Sequence, residues 1–422
     1  MKINYHGGYN MTTDQIIKEI QHRLSSVHVG CFKGMDKPLF LISETYPGVW
    51  LEHVYDSVFY ALHDRSKLFL AENTIDLFIS NQKEDGQLPC YVHDGNRVGG
   101  SMKSLVGYAH TQECVSFARL GWLVYEMNHD LGYLKRFYAS CSKWVQWLCS
   151  HRMTTGRGLI EIFCGWDTGH DNSGRLRDMA FIGRQDREDG SAVSAGEHYP
   201  KDDVTPIAAV DLSCNYFATL TSLSRMAGEL SLTAESDMWS AKAAEVKRRL
   251  FEVCFDPDDC FFYDVDKHGN KRKFLSSTIF HLFMEGVLDK EKDAELIREI
   301  WERHIANPDE FATPYPYPSM AVCDPSCEGH KSANCWGYYS QGLIALRCTL
   351  WMDEYGFGET FDNLCRVWVE AWTEHFDKIK LGQELDPITG IPSKSSEWYS
   401  TTMLFYLYAA ERTGLVGNAF EF

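Results

Sequence analysis

A chain of 422 residues, 44% hydrophobic and 24% charged, has the composition of an ordinary globular protein. A formal net charge of −18 repels phosphate backbones and argues against nucleic acid as a partner. No apolar run reaches membrane-spanning length, and Met1–Gly8 lacks the apolar stretch of a signal peptide.

The 14 cysteines are scattered through helical-looking segments rather than set in a compact framework. Reduced thiols in a soluble, cytoplasmic protein are therefore the simplest expectation. No Gly/Ser- or Pro-rich linker divides the chain. A single domain over 1–422 is expected, with 1–30 as an N-terminal helical arm.

Taken in order, Ile16, Ile17, Ile20 and Leu24 mark a first amphipathic helix behind the cap candidates Thr12 and Thr13. Helical periodicity recurs roughly over 54–63, 67–82, 110–128, 130–152, 211–229, 233–253, 276–287, 290–304, 335–355, 358–380 and 397–413. Short turns such as Asn128-His129 and Leu230-Ser231 join helices into antiparallel pairs. Such pairs can stack as a solenoid or close into a ring, and the absence of a fixed repeat period favours the ring. One hairpin signal runs from Phe261 to Val265 and turns through His268-Gly269-Asn270. The long connections, at 83–109, 155–210, 306–334 and 381–396, are rich in Gly, Asp, Trp, Tyr and Pro, and long irregular loops are usually functional. The pattern predicts an all-α toroid with loops gathered at one mouth and a minor β-hairpin.

The densest chemistry lies in Gly165-Trp166-Asp167-Thr168-Gly169-His170-Asp171-Asn172-Ser173-Gly174-Arg175. Taken by composition, this is either a capped surface loop of turn formers or a loop that positions Asp171 as a proton donor. Its core resembles the E-S-G-x-D-x-S-x-R signature of the clan containing trehalase, processing α-glucosidase I and mannosylglycerate hydrolase. Asp167 stands in place of the usual Glu, and Gly174 in place of a frequent Pro. Tyr46-Pro47-Gly48-Val49-Trp50 with Tyr55-Asp56-Ser57 is similar to the clan's W-x-W-D-S/T segment, Tyr55 replacing a Trp. Asp85-Gly86-Gln87-Leu88-Pro89, His110-Thr111-Gln112, Val210-Asp211-Leu212 with Asn215, and Thr313-Pro314-Tyr315 with Pro318-Ser319 resemble further clan segments. They occur in the clan's order over roughly residues 40–410. Asn334-Cys335-Trp336-Gly337 resembles the clan's Y-W-R-G stretch with Trp336 and Gly337 kept and its arginine missing, and Arg184 or Arg187 could replace it.

The resemblance implies an (α/α)6 barrel and an inverting glycosidase with Asp171 as general acid. It puts the general base near the C-terminus, before a D-P-x-T-G turn. Glu384, ahead of Asp386-Pro387-Ile388-Thr389-Gly390, is that candidate, with Glu397 in reserve. Trp50, Tyr55, Asp56, Gln112, Trp166, Asp167, Arg175, Asp211, Trp336 and Trp398 are expected at the sugar subsites, and His110 at a sugar hydroxyl. The implied substrate is a short α-linked glucoside or mannoside, and the mechanism needs no metal or organic cofactor. Asp171 must hold its proton, which burial or a neighbouring carboxylate such as Asp167 can ensure.

Cys323, Cys327, His330 and Cys335 have the elements of a zinc site, but their irregular spacing favours free cysteines in a loop. A sugar epimerase or phosphorylase on a similar toroid, or a sugar-binding protein without activity, remains an alternative. Histidine bases would mark the epimerase, phosphate-dependent cleavage the phosphorylase, and ligand binding without turnover the binding protein.

Overall fold

Burial sorts the helices into two kinds in the computed structural model, which describes residues 11–95, 104–171, 173–179, 203–327 and 336–421. Among the described residues the α-helices are α1 (Thr13–His22), α2 (Val54–His63), α3 (Leu68–Ser80), α4 (Phe117–Asn128), α5 (Leu131–His151) and α6 (Val210–Glu229). They continue as α7 (Thr233–Val253), α8 (Ile279–Met284), α9 (Ala294–Ile300), α10 (Gly342–Arg347), α11 (Gly358–His375) and α12 (Ser400–Arg412).

In α7 only Trp239, Ala243, Val246 and Leu250 are buried, an i, i+4, i+7, i+11 stripe that turns one side inward. Helix α1 likewise buries Ile16, Ile17 and Ile20. In α2, by contrast, every residue from Val54 to Ala61 is buried, and α8 and α10 are buried throughout. A helix enclosed on all sides belongs inside.

The enclosed helices follow one another around a ring. Helix α2 packs on α4, α4 on α6 and α6 on α8, while α10 packs on α12 and α12 returns to α2. Trp351, just beyond α10, meets Phe280 and Phe283 of α8 at centroid distances of 6.0 and 5.2 Å. The amphipathic helices back this ring: α3 on α2, α5 on α4, α7 on α6, and both α11 and α1 on α12. This is the (α/α)6 toroid. Its seam is polar as well as apolar, because the Ser400 and Thr401 hydroxyls of α12 donate to Asp56 of α2 at 2.5 and 2.7 Å.

Short antiparallel strands pin the loops ahead of the inner helices. Gly48–Trp50 leads into α2 and pairs with Tyr91–His93, which pairs in turn with Val106–Gly107. Glu161–Ile162 pairs with Ile207–Ala208 before α6, and Ser340–Gln341 pairs with Glu384–Leu385 before α10, with Gln341 opposite Glu384.

Three expectations change. Helix α4 begins at Phe117, because Gln112 takes a left-handed φ of 46° and Ser116 Oγ caps Arg119 N, leaving 110–116 as non-helical chain. The helix expected over 335–355 contracts to α10, since Ser340 and Gln341 join a strand. The hairpin forms one step earlier, between Phe255–Asp256 and Phe261–Phe262. A single Val265–Lys271 bridge then closes the His268-Gly269-Asn270 turn.

Among the described residues no helix is long and apolar enough to cross a membrane.

Candidate active site

The strand and loop segments ahead of the inner helices enclose a pocket of ≈ 200 Å³. Its walls are aromatic: Tyr46, Trp50 and Tyr91 from the first sheet region, His110 and Trp166 from the central loops, and Trp336 and Tyr399 from the C-terminal half. The aromatic rings brace one another. Tyr46 meets Trp50 edge-on at 5.2 Å, Trp50 meets Tyr91 at 5.7 Å, and His110 meets Trp166 at 6.0 Å. Between them lie the amides of Gln112, Gln341 and Gln383 and the carboxylates of Glu52 and Asp171. Flat apolar faces alternating with hydrogen-bonding groups suit a ligand that has C–H faces and hydroxyl edges.

Asp171 lines this pocket at the end of a tightly held loop. Its main-chain carbonyl accepts from Trp336 N at 3.1 Å. The preceding His170 is buried, and its ring stacks on the Trp336 indole with centroids 4.2 Å apart. Burial, reinforced by the charge of Arg175, holds the His170 imidazole well below its ordinary pKa, so the ring is neutral.

Glu384 lies one residue beyond pocket-lining Gln383 and is completely buried. Its two oxygens accept from Gln341 Nε2 and Ser393 Oγ, each at 2.6 Å. Gln383 Nε2 donates to Tyr46 Oη at 2.6 Å. Burial first, then the charges of Glu52, Asp171 and Glu384, push the Tyr46 hydroxyl above its usual pKa.

The model of the family described as "Mannosylglycerate hydrolase MGH1-like glycoside hydrolase domain" matches residues 55–336, two thirds of the chain. The chain belongs to the MGH1-like glycoside hydrolases. No curated protein matches the sequence, but solved structures share its fold. The GH63 mannosylglycerate hydrolase of Thermus thermophilus, in complex with Tris and D-glycerate, superposes with a TM-score of 0.68 at 16% identity, over 94% of this chain and 99% of that one. Neutral trehalase from Saccharomyces cerevisiae gives 0.64 at 13% identity, over 94% and 80%. A rhamnosidase from Klebsiella oxytoca with rhamnose bound gives 0.60 at 12%, over 97% and 66%.

In this MGH1-like hydrolase Trp50, Gln112, Trp166 and Trp336 line the pocket together with Asp171 and His110. The other expected sugar contacts lie elsewhere. Tyr55 is buried against Phe59, and its hydroxyl is bonded to Thr349. Asp56 faces the α12 seam, where burial raises its carboxyl to about 6 against the opposing Ser400 and Thr401 hydrogen bonds.

Asp167 is fully buried and fully engaged. It pairs with Arg152 and accepts from Thr111 N at 3.0 Å and Phe163 N at 2.9 Å. Its charge is therefore compensated by Arg152, and it pins the acid loop to α5 rather than touching a ligand. Arg175 is clamped between Asp211 and Asp264, and Asp211 Oδ2 lies 3.4 Å from His170 Nδ1. Asp211 thus contacts the same His170 ring that stacks on Trp336. The Arg23 guanidinium carbon lies over the Trp398 ring, 3.8 Å from the ring centroid, and Trp398 is not among the pocket-lining residues. The reserve base Glu397 is exposed and accepts from Lys380 N at 3.4 Å.

Asn172, Arg184, Arg187, His330 and Cys335 lie outside the described residues. Among the described residues no group of three His, Cys, Asp or Glu is placed to hold a metal ion. The Cys327 thiol points at the carbonyls of Met320, Ala321 and Gly337.

Sequence reasoning passed over Glu52. It stands two residues after Trp50 in a short 3-10 turn (Leu51–His53) leading into α2, and it lines the pocket. Burial raises its carboxyl to about 7, with the Arg347 charge opposing. A lone carboxylate between Trp50-Leu51 and the buried start of α2 was the available signal.

Proposed function

We propose that this glycoside hydrolase cleaves a short α-linked glucoside or mannoside with inversion, Asp171 serving as general acid and Glu384 as general base. The observation that supports this reading is geometric: Asp171 lines the pocket, and Glu384 accepts from Gln341, whose side chain lines the same pocket. The two groups come from distant parts of the chain and bear on one cavity.

In the reaction, the Asp171 carboxyl gives its proton to the glycosidic oxygen as the C1–O bond breaks. The Glu384 carboxylate takes a proton from the water that attacks C1 from the opposite face, so the products are the leaving alcohol and a sugar of inverted anomeric configuration. The bonds from Gln341 and Ser393 fix the orientation of the Glu384 carboxylate. This geometry requires the two carboxyls to stand roughly 6.5–9.5 Å apart.

At ≈ 200 Å³ the pocket is below the ~300–1,000 Å³ of drug-sized ligand sites. That size suits one sugar ring and hence exo-action on a small glycoside. The mannosylglycerate hydrolase description of the family and the trehalase fold relative support the same substrate class.

A panel of α- and β-linked glucosides and mannosides, followed by proton NMR of the first-formed anomer, tests the reading. The β-anomer should appear first from an α-glycoside, and retention of configuration would overturn the two-sided mechanism. Asp171→Asn and Glu384→Gln should each lower kcat by about 10²–10⁴-fold. Wild-type turnover in either variant removes that residue from its assigned role.

A further inference from the structure

The buried carboxylates of this protein are almost all supplied with strong donors. Asp56 has two hydroxyls. Asp167 has a guanidinium and two main-chain N–H groups. Glu161 has the N–H and hydroxyl groups of Thr154 and Thr155. Asp264 has Arg175 and Val210 N, and Glu384 has Gln341 and Ser393. That is the rule for polar groups removed from water.

Glu52 differs. Its side chain is only 13% exposed, and it meets His53 Nδ1 at 3.4 Å from Oε1 and the Cys114 thiol at 3.8 Å from Oε2, with the Arg347 charge acting on it but no hydrogen bond from that guanidinium. A thiol is a weak donor, and 3.4 Å is long for an N–H···O bond. Glu52 lines the pocket together with Gly169 and Asp171 of the acid loop. A Cβ added to Gly169, which has φ +83°, would lie 2.5 Å from Glu52 Oε2, so the acid loop runs directly against this carboxylate. Trp50, two residues earlier, offers its ring to the same cavity. Adjacent sugar hydroxyls supply the donors such a group lacks.

We propose that Glu52 is a substrate-contacting, specificity-determining residue whose carboxyl hydrogen-bonds one hydroxyl, or a vicinal pair, of the sugar ring bound next to Asp171. This rests on the reading of the pocket as the glycoside site. It adds a recognition contact that the acid–base pair does not use, and it explains why a carboxylate is held there with so few strong hydrogen-bond donors of its own.

The test compares wild type, Glu52→Gln and Glu52→Ala on the best glycoside of the panel and on its series of monodeoxy glycone analogues. Glu52→Ala should lower kcat/KM for the parent glycoside about 10- to 100-fold. For the analogue lacking the partner hydroxyl, variant and wild type should agree within about twofold, because the contact is already gone. Glu52→Gln keeps the shape and the acceptor oxygen and should fall between the two.

An equal loss on every analogue, or no loss on any, overturns the proposal. Binding of the free monosaccharides, followed by the fluorescence of Trp50, Trp166 and Trp336, separates this from the hydrolase reading. If wild type binds a sugar that it does not release from any glycoside, and Glu52→Ala weakens that binding at least about tenfold, the hydrolytic assignment fails and Glu52 stands. If wild type hydrolyses the glycoside and binds the sugar and Glu52→Ala matches it in both, Glu52 fails alone.

Discussion

Asp167 and Asp171 are four residues apart in one motif and are placed in opposite environments. The first is sealed under Arg152 and holds the loop; the second opens on the pocket. Their difference was not legible in the sequence, because it depends on Arg152 at the end of α5 reaching back beneath the loop.

Glu113 shows the same dependence on distant partners. It lies among residues of the 110–116 segment and accepts from Phe117 N at 2.7 Å and Trp144 Nε1 at 3.3 Å. Burial nevertheless raises it to about 7. A carboxyl whose folded pKa lies above its unfolded value stabilises the fold fully below about 4.5, and that contribution is lost as pH rises through about 7. Unfolding free energy should therefore decline between about pH 5 and pH 8 at this site. Glu113→Gln should shrink the difference between those two pH values, measured by urea denaturation. An unchanged pH dependence in the variant would show that Glu113 ionises without cost.

At the scale of elements, local periodicity found the helices and tertiary contacts set their ends. The amphipathic stripes of α1 and α7 were plain in the spacing of apolar residues. The start of α4 and the shortness of α10 were not, since the chain there is drawn into the mouth by Gln112 and by the Ser340–Gln341 strand. Pairing between helices also leaves local signs. Gly121 in α4 faces Phe137 of α5, and a Cβ there would overlap the Phe137 ring. Gly121→Ala should force the pair apart and cost about 1–3 kcal/mol, seen as an earlier urea midpoint. A wild-type midpoint would mean that the Phe137 ring swings aside freely.

For the whole molecule, the toroid closes where the last inner helix meets the first. Helix α12 contributes nearly all its residues to the interior, packs on α1, α2, α10 and α11, and donates two hydroxyls to Asp56. A chain ending after Tyr399 should therefore lose the cooperative unfolding transition in circular dichroism rather than become a slightly weaker enzyme. A sharp transition retained by that truncation would mean that the ring does not need its closing helix.

By itself the sequence determined the helical class, the pairing of helices through short turns and a motif whose resemblance pointed to a glycosidase. Those signals are carried by neighbouring residues and by residue type. Only the tertiary structure decided which polar groups share a cavity: Glu52 and Asp171 inside, Glu384 against its wall, and Tyr55, Asp56, Asp167, Arg175, Asp211 and Trp398 outside. A side chain's direction from a loop depends on partners such as Arg152 and Gln341, which lie far along the chain and close in space.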